Sequence, residues 1–321
     1  MKAAVLTGDR DISCSTSTQP EIAPDQVLVR SRWVGICGTD LHIYRGEFRD
    51  RVRYPAVLGH EFGGEIVEVG NAVTAWHIGD RVAVDPNVPC HGCPACIEGH
   101  PNSCVSLRLL GIDLDGGFGQ YVAAPTENLY RIPDSVSLKH APMVEMYGLG
   151  HHILRRGKVG LGESVVILGG GRLGLSVLDV LCHGSGPAET IVIDVEPFRL
   201  DTAGRLGAEH VCNSTKVDPV DYVLEVTDGI GADCVIECVG HHRTIPGHGD
   251  PLAQAVAMIR NGGRIVTAGL GDQMSSVHFK TLVLKEAEII ASRVTAGEFT
   301  RALRLMGRGL LHPEILITHE M

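Results

Sequence analysis

The sequence predicts an α/β chain in two parts, a mostly β half over residues 1–148 followed by a doubly wound parallel sheet over 149–285. Three observations carry this. Up to residue 148, short β-like runs are separated by turns such as Gly8-Asp9 and Asp115-Gly116-Gly117, the punctuation of hairpins. Beyond it, uninterrupted apolar runs alternate with helix-length segments, and strands buried on both faces belong to parallel sheets. The length of 321 residues suits two domains at roughly 150 residues each.

In order, the first half offers Lys2–Leu6, Val27–Trp33, Phe62–Val69, Arg81–Val84 and Gln120–Ala124 as strands, each bounded by turn residues. The second offers Val165–Leu168, Ile191–Asp194, Cys234–Cys238 and Ile265–Ala268. After residue 285, an Ile289–Ala291 strand precedes a helix in which Phe299, Ala302, Leu303 and Met306 share one face. The 40 glycines exceed the usual share of roughly 7%, so many backbone positions need shapes that a Cβ forbids.

Charge and segment composition restrict the function. Net charge is −10, from 28 Lys and Arg against 38 Asp and Glu, with no basic block. That argues against nucleic acid or an anionic membrane as partner and favours a small molecule. Met1–Leu6 runs too soon into Gly8-Asp9-Arg10-Asp11 for a signal peptide, which predicts a cytoplasmic setting. The most apolar stretch, Ser164 to Cys182, carries three consecutive glycines, Arg172 and Asp179, and reads as a buried strand and helix rather than a membrane span.

Four of the ten cysteines crowd together as Cys90-x2-Cys93-x2-Cys96-x7-Cys104. In a reducing compartment such a cluster points to metal rather than disulfides. Four thiolates close a tetrahedron around zinc and leave no position for substrate. An iron–sulfur cluster would call for a fourth cysteine three residues after the third, followed by proline, a spacing this lobe lacks.

The strand Val165–Leu168 leads into Gly169-Gly170-Gly171-Arg172-Leu173-Gly174, after which Leu175, Leu178 and Cys182 recur at helical spacing. This is G-x-G-x-x-G between strand and helix: Gly169, Gly171 and Gly174 permit the turn and close approach, and the helix N-terminus meets a pyrophosphate. Asp194 closes the next strand, where a carboxylate accepts hydrogen bonds from ribose hydroxyls and repels a 2′-phosphate. The predicted cofactor is NAD rather than NADP.

A dispersed set remains: Gly35-Ile36-Cys37-Gly38-Thr39-Asp40-Leu41-His42, Gly59-His60-Glu61, and Glu145. A thiolate, an imidazole and a carboxylate suit a zinc ion with an open position, although spacing alone leaves three unrelated residues as an equal reading. These stretches, with the four-cysteine lobe, Asp115–Phe118 and the glycine turn, resemble the zinc-dependent medium-chain alcohol dehydrogenase family, in its polyol (sorbitol) and L-threonine dehydrogenase branch.

The resemblance implies a GroES-like catalytic domain made of residues 1–148 and 286–321, a Rossmann NAD-binding domain over 149–285, and two zinc ions per chain. Cys37 and His60 would ligate the catalytic zinc with Glu61 or Glu145, and Cys90, Cys93, Cys96 and Cys104 the structural one. Asp40 would orient the imidazole. Thr39 would take the alcohol proton and His42 relay it, Glu61 would exchange with water at the metal, and Arg293 would lie near substrate. Arg172, Leu173 and Arg199 would join the glycines and Asp194 around the nucleotide. Tyr44 and Phe118 match cleft positions, and the histidines of Val239–His248 read as a solvated loop. Cys14, Cys182, Cys212, Cys234 and Cys238 read as small buried residues.

The expected activity is oxidation of a secondary alcohol of a polyol, sugar alcohol or sugar acid to a ketone with hydride transfer to NAD, in a homodimer or homotetramer. L-Threonine 3-dehydrogenase is the nearest alternative, and Tyr147-Gly148 resembles that version. A catalytically inactive zinc-scaffolded nucleotide-binding protein is the alternative from another class, and intact Cys37, Thr39, His42 and His60 speak against it.

Overall fold

A computed structural model describes residues 1–184, 186, 189–240, 250–271 and 274–321. The chain divides into two compact units, Met1–Gly148 with Val294–Arg308, and Leu149–Arg293 with Gly309–Met321.

In the first unit β1 (Lys2–Gly8) pairs antiparallel with β2 (Asp11–Thr16) and, across its other edge, with β4 (Ala56–Val57). Between them in sequence come β3 (Gln26–Gly35) and the short helix α1 (Gly38–Tyr44). There follow β5 (Glu61–Val69), β6 (Arg81–Val84), β7 (Asn87–Val88), α2 (Pro94–Ile97), β8 (Arg108–Leu109), β9 (Tyr121–Pro125) and β10 (Leu129–Arg131). Strands β10, β6, β5, β3 and β9 form one antiparallel sheet in that order. Its inward positions recur with the period of two that a pleated strand dictates: Val27 and Val29, Val82 and Val84, and Val122 and Ala124 share a core with Phe62 and Ile66. Each such side chain contributes roughly 1.5–3 kcal/mol on burial.

Helix α3 (Met143–Arg156) carries Glu145 in its first turn. The second unit then alternates strand and helix: β11 (Ser164–Leu168), α4 (Arg172–Gly184), β12 (Glu189–Asp194), α5 (Pro197–Arg205), β13 (His210–Asn213), α6 (Pro219–Val226), β14 (Ala232–Glu237), α7 (Pro251–Met258), β15 (Ile259–Thr267), α8 (Phe279–Lys285) and β16 (Glu288–Ala291). The six strands lie in the order β13-β12-β11-β14-β15-β16, all parallel. The order reverses beside β11, the switch point where doubly wound sheets bind nucleotides. The fold is thus the expected α/β class, a doubly wound parallel sheet and a mostly antiparallel lobe. Ser164 to Cys182 forms a strand and the greater part of a helix, and no helix among the described residues is long and apolar enough to cross a membrane.

After β16 the chain gives α9 (Phe299–Gly307) to the first unit and α10 (Pro313–Leu316) to the second. Phe299, Ala302, Leu303 and Met306 of α9 are buried, the face that helical spacing selects. Contacts group 286–293 and 309–321 with the second unit, whereas the sequence reading placed them with the first. The physical reason is pairing: β16 adds to β15 from Arg264↔Glu288 to Thr267↔Ala291, and α10 packs on α4 and α5.

A buried polar group ties the 294–308 segment into the first unit. Asp85 accepts hydrogen bonds from the backbone and side-chain nitrogens of Asn87 at 3.0 and 2.6 Å and from the Thr295 hydroxyl at 3.1 Å. Burial dominates and, with the Glu298 charge, pushes its carboxyl up to about 6 despite those bonds. An acid whose folded value lies above its unfolded value stabilises the fold below the unfolded value and loses that contribution as pH rises through the folded one. Wild-type stability should therefore decline by roughly 2–3 kcal/mol between about pH 4 and 7 on this account. Asp85→Asn, which keeps an acceptor for Asn87, should flatten the loss. Thermal melts at pH 5 and 7 test it: an Asp85→Asn Tm profile parallel to wild type would assign the dependence elsewhere.

Candidate active site

Antiparallel pairing, not sequence spacing, assembles the dispersed residues. In the β3–β5 register Gly35 stands opposite Glu61, so the chain leaving β3 reaches Cys37 as the chain entering β5 passes His60. Gly59 before that histidine has φ +93, and a Cβ there would meet Phe118 and Val34 side chains at 2.8 and 2.9 Å, so only glycine makes this approach. Cys37, His60 and Glu61 each offer a ligand atom, all within 4.8 Å of one another. Glu145 falls outside that set, but it is buried and its charge acts on Cys37.

The electrostatics suit a cation. Burial first, then the Glu61 carboxylate, pushes the Cys37 thiol upward, with Glu145 adding to it. Burial opposes charge on His60 most strongly, yet Asp40 and Cys37 together hold its imidazole well above the ordinary value. A thiol and a carboxylate gathered beside one imidazole form a donor set that suits a divalent ion. Asp40 organises the cluster: its Oδ2 accepts the Cys37 backbone N–H at 2.7 Å, and its Oδ1 lies 3.6 Å from His60 Nδ1. Such a carboxylate behind a ligating imidazole fixes its orientation.

Thr39 and His42 lie on α1, and the Thr39 hydroxyl is 3.8 Å from the Cys37 sulfur. His42 Nδ1 contacts the Glu47 carboxylate at very close range, and its ring faces Phe48 with centroids 6.4 Å apart. Sequence reasoning missed Glu47, which lies beyond the helix in a turn where no fixed spacing marks it. Tyr44 and Phe118 pack against the Leu6–Ile43–Leu58 cluster.

Cys90, Cys93, Cys96 and Cys104 also bring their sulfurs within 4.8 Å of one another. Cys104 accepts the N–H groups of Cys90 and Ser106, each at 3.3 Å. Backbone N–H groups of Val105 and Cys96 pull Cys93 down to about 6, while burial and the neighbouring thiols push Cys96 up to about 12. Cys93 Sγ and Cys96 Sγ are 3.5 Å apart, close to the separation about a tetrahedral zinc with ~2.3 Å bonds. Of the other cysteines, Cys212 and Cys234 are buried, and burial raises them to about 11 and 12. Cys14 is exposed, against expectation, because both faces of β2 are exposed.

In the second unit the glycine turn joins β11 to α4. A Cβ on Gly174 would lie 1.9 Å from the Gly169 carbonyl oxygen, whereas one on Gly171 would meet nothing within 4 Å. The turn is therefore closed on the strand side and open where a pyrophosphate would sit. Arg172 and Leu173 begin the helix. Asp194 accepts from Gly170 N at 2.7 Å and Glu196 N at 2.9 Å, with Arg199 at 3.4 Å. A carboxylate has about four lone-pair sites, so capacity remains for ribose hydroxyls. Arg293 follows β16, exposed and in the second unit. The histidines at 241, 242 and 248 lie outside the described residues.

Known proteins resemble this chain over most of its length. The profile of the alcohol dehydrogenase GroES-like domain matches residues 23–134, and that of the zinc-binding dehydrogenases matches 173–308. Sorbitol dehydrogenase of Bacillus subtilis is 33% identical over 324 residues, covering 100% of this chain and 90% of the relative. L-Threonine 3-dehydrogenase of Pyrococcus abyssi is 32% identical over 306 residues, 94% of this chain and 85% of the relative. Among solved structures, one described as a short chain alcohol dehydrogenase from Escherichia coli CFT073, complexed with NADH, has a TM-score of 0.90. It is 32% identical, with 98% of this chain and 90% of that chain covered.

Proposed function

From the premise that the chain belongs to the zinc-dependent, GroES-like alcohol dehydrogenase family, in its polyol and threonine branch, we propose that it oxidises a secondary alcohol of a polyol, sugar alcohol or sugar acid to the ketone with NAD. The observation that carries this reading is the convergence of Cys37, His60 and Glu61 beside the hydroxyl of Thr39. Zinc, when bound, supplies a Lewis acid that acidifies the alcohol, and NAD the acceptor for its hydride.

The chain's own groups do the rest. Cys37, His60 and Glu61 would hold the zinc, with Glu145 the alternative carboxylate to Glu61, and Asp40 would hold the imidazole in place. Thr39 Oγ1 takes the alcohol proton and His42 passes it to solvent. Glu47 contacts His42 Nδ1 and so orients the ring. One proton goes to solvent and one hydride to NAD for each ketone formed. Gly169, Gly171 and Gly174, the first turn of α4 and Asp194 bind the dinucleotide, Arg199 flanks the adenosine, and Arg293 meets the polar substrate. The lobe of Cys90, Cys93, Cys96 and Cys104 holds a second, structural zinc. On the same reading the enzyme is cytoplasmic and forms a homodimer or homotetramer.

A screen of polyols, sugar acids and L-threonine with NAD, read as NADH formation, tests the activity. Turnover of L-threonine alone would transfer the assignment to the threonine enzyme, and no turnover with any would defeat it. Asp194→Ala should raise KM for NAD roughly ten- to hundredfold, the worth of charge-assisted hydrogen bonds at about 1.5–3 kcal/mol. It should also narrow the preference over NADP, and an unchanged NAD/NADP ratio would remove the ribose contact from the account.

A further inference from the structure

A third set of metal-ligating side chains lies outside both cysteine-containing sites. Asp179 and His183 stand four residues apart on α4, the spacing that brings two side chains to one face of a helix. His312 immediately precedes α10, 129 residues beyond His183 in sequence, and the packing of α10 on α4 returns it to the same place. The three offer ligand atoms within 4.8 Å of one another. His312 Nδ1 lies 2.9 Å and His183 Nδ1 3.0 Å from Asp179 Oδ1, and the two imidazole rings meet edge to face with centroids 4.5 Å apart.

We propose that Asp179, His183 and His312 bind a divalent transition-metal ion, zinc or a metal of similar preference, which clips the segment carrying His312 to α4. Donors bonded at about 2.0–2.2 Å to one ion stand roughly 2.9–3.4 Å apart for angles between octahedral and tetrahedral, and both N–O separations fall there. The carboxylate is braced as ligating carboxylates are: Oδ2 accepts the His312 backbone N–H at 2.7 Å, which directs Oδ1 toward the imidazoles. Asp179 is fully buried, whereas each histidine side chain is about a third exposed, so the charged ligand is held inside and the ion enters past the rings. Two imidazoles and one carboxylate select zinc, cobalt, nickel or iron over calcium and magnesium, and leave coordination positions for water. Without thiolate, the set differs in kind from the Cys37 site and the four-cysteine lobe.

That difference provides the test. Holoenzyme saturated with zinc at its cysteine sites and dialysed free of loose metal is titrated with Co2+, followed by visible absorption and metal content. Wild type should take up one further cobalt per chain, with d–d bands and no sulfur charge-transfer band. His183→Gln and His312→Gln should each weaken that uptake at least tenfold, and the double variant should abolish it while turnover with NAD stays at the wild-type level. Absence of a further equivalent in wild type overturns the proposal without recourse to any variant. So does uptake that persists undiminished in both variants, which would place the ion on other histidines, or uptake that carries a sulfur band, which would place it on cysteine.

Discussion

Cys37→Ala is expected to lower kcat/KM for alcohol oxidation by at least about a thousandfold, a loss of roughly 4 kcal/mol of transition-state stabilisation, while NADH still binds. Cys37 supplies the one thiolate among the residues gathered with His60 and Glu61, and it leaves β3 at the position set by the Gly35↔Glu61 register. The remaining imidazole and carboxylates have no such soft donor, so zinc content should fall by one equivalent per chain. Stability should hold, because the cysteine lies outside the apolar core of the antiparallel sheet and its removal leaves that core intact. Asp40→Asn should be milder, about ten- to hundredfold in activity or metal affinity, since that carboxylate orients the imidazole instead of contributing a ligand. Full activity in Cys37→Ala would move the chemistry to another site.

The contrast between the two candidate metal-ligand sets explains how far the sequence can be read. The four-cysteine lobe and the Gly169–Gly174 turn are local: their donors and N–H groups fall within one short segment, so spacing carries the geometry. The Cys37, His60 and Glu61 site is non-local, since a strand register of β3 against β5 creates it and no interval in the sequence encodes that register. Resemblance to a family, not the spacing, singles it out. Helix α1 was illegible for a different reason. Its seven residues begin at Gly38, directly after Cys37, and bury only Asp40 and Ile43, too few positions to declare a helical period. The strands of the parallel sheet read clearly because they are continuous apolar runs, except β13, where His210 and Asn213 interrupt the pattern. Of the further proposed site, the Asp179 and His183 spacing is visible on a helix, but its third member depends on where the chain returns after α9.

Cys104→Ser is expected to act the other way from Cys37→Ala, through stability first and activity second. Cys104 and Cys93 are themselves part of a buried cluster with Leu6, Ile43, Val52, Leu58, Leu107, Leu109 and Ile112. Ile43 lies on α1, the helix of Thr39 and His42, and Leu58 is two residues before His60. On the proposed reading, a lobe that loses its ion loosens the supports of the Cys37, His60 and Glu61 cluster without altering any of its members. Structural zinc contributes about 10–16 kcal/mol to the folding of small zinc domains, against a net stability of roughly 5–15 kcal/mol for a whole domain. Loss of even a third of that, about 3–5 kcal/mol, would remove a large part of that stability. The measurable result is one zinc equivalent lost and a Tm lower by about ten degrees or more, with kcat/KM declining as temperature rises toward the new transition. Cys37→Ala should show the opposite split, activity gone and Tm kept. If Cys104→Ser retained both its Tm and its zinc, the fifteen-residue lobe would fold by apolar packing alone, and its four thiols would hold no structural metal.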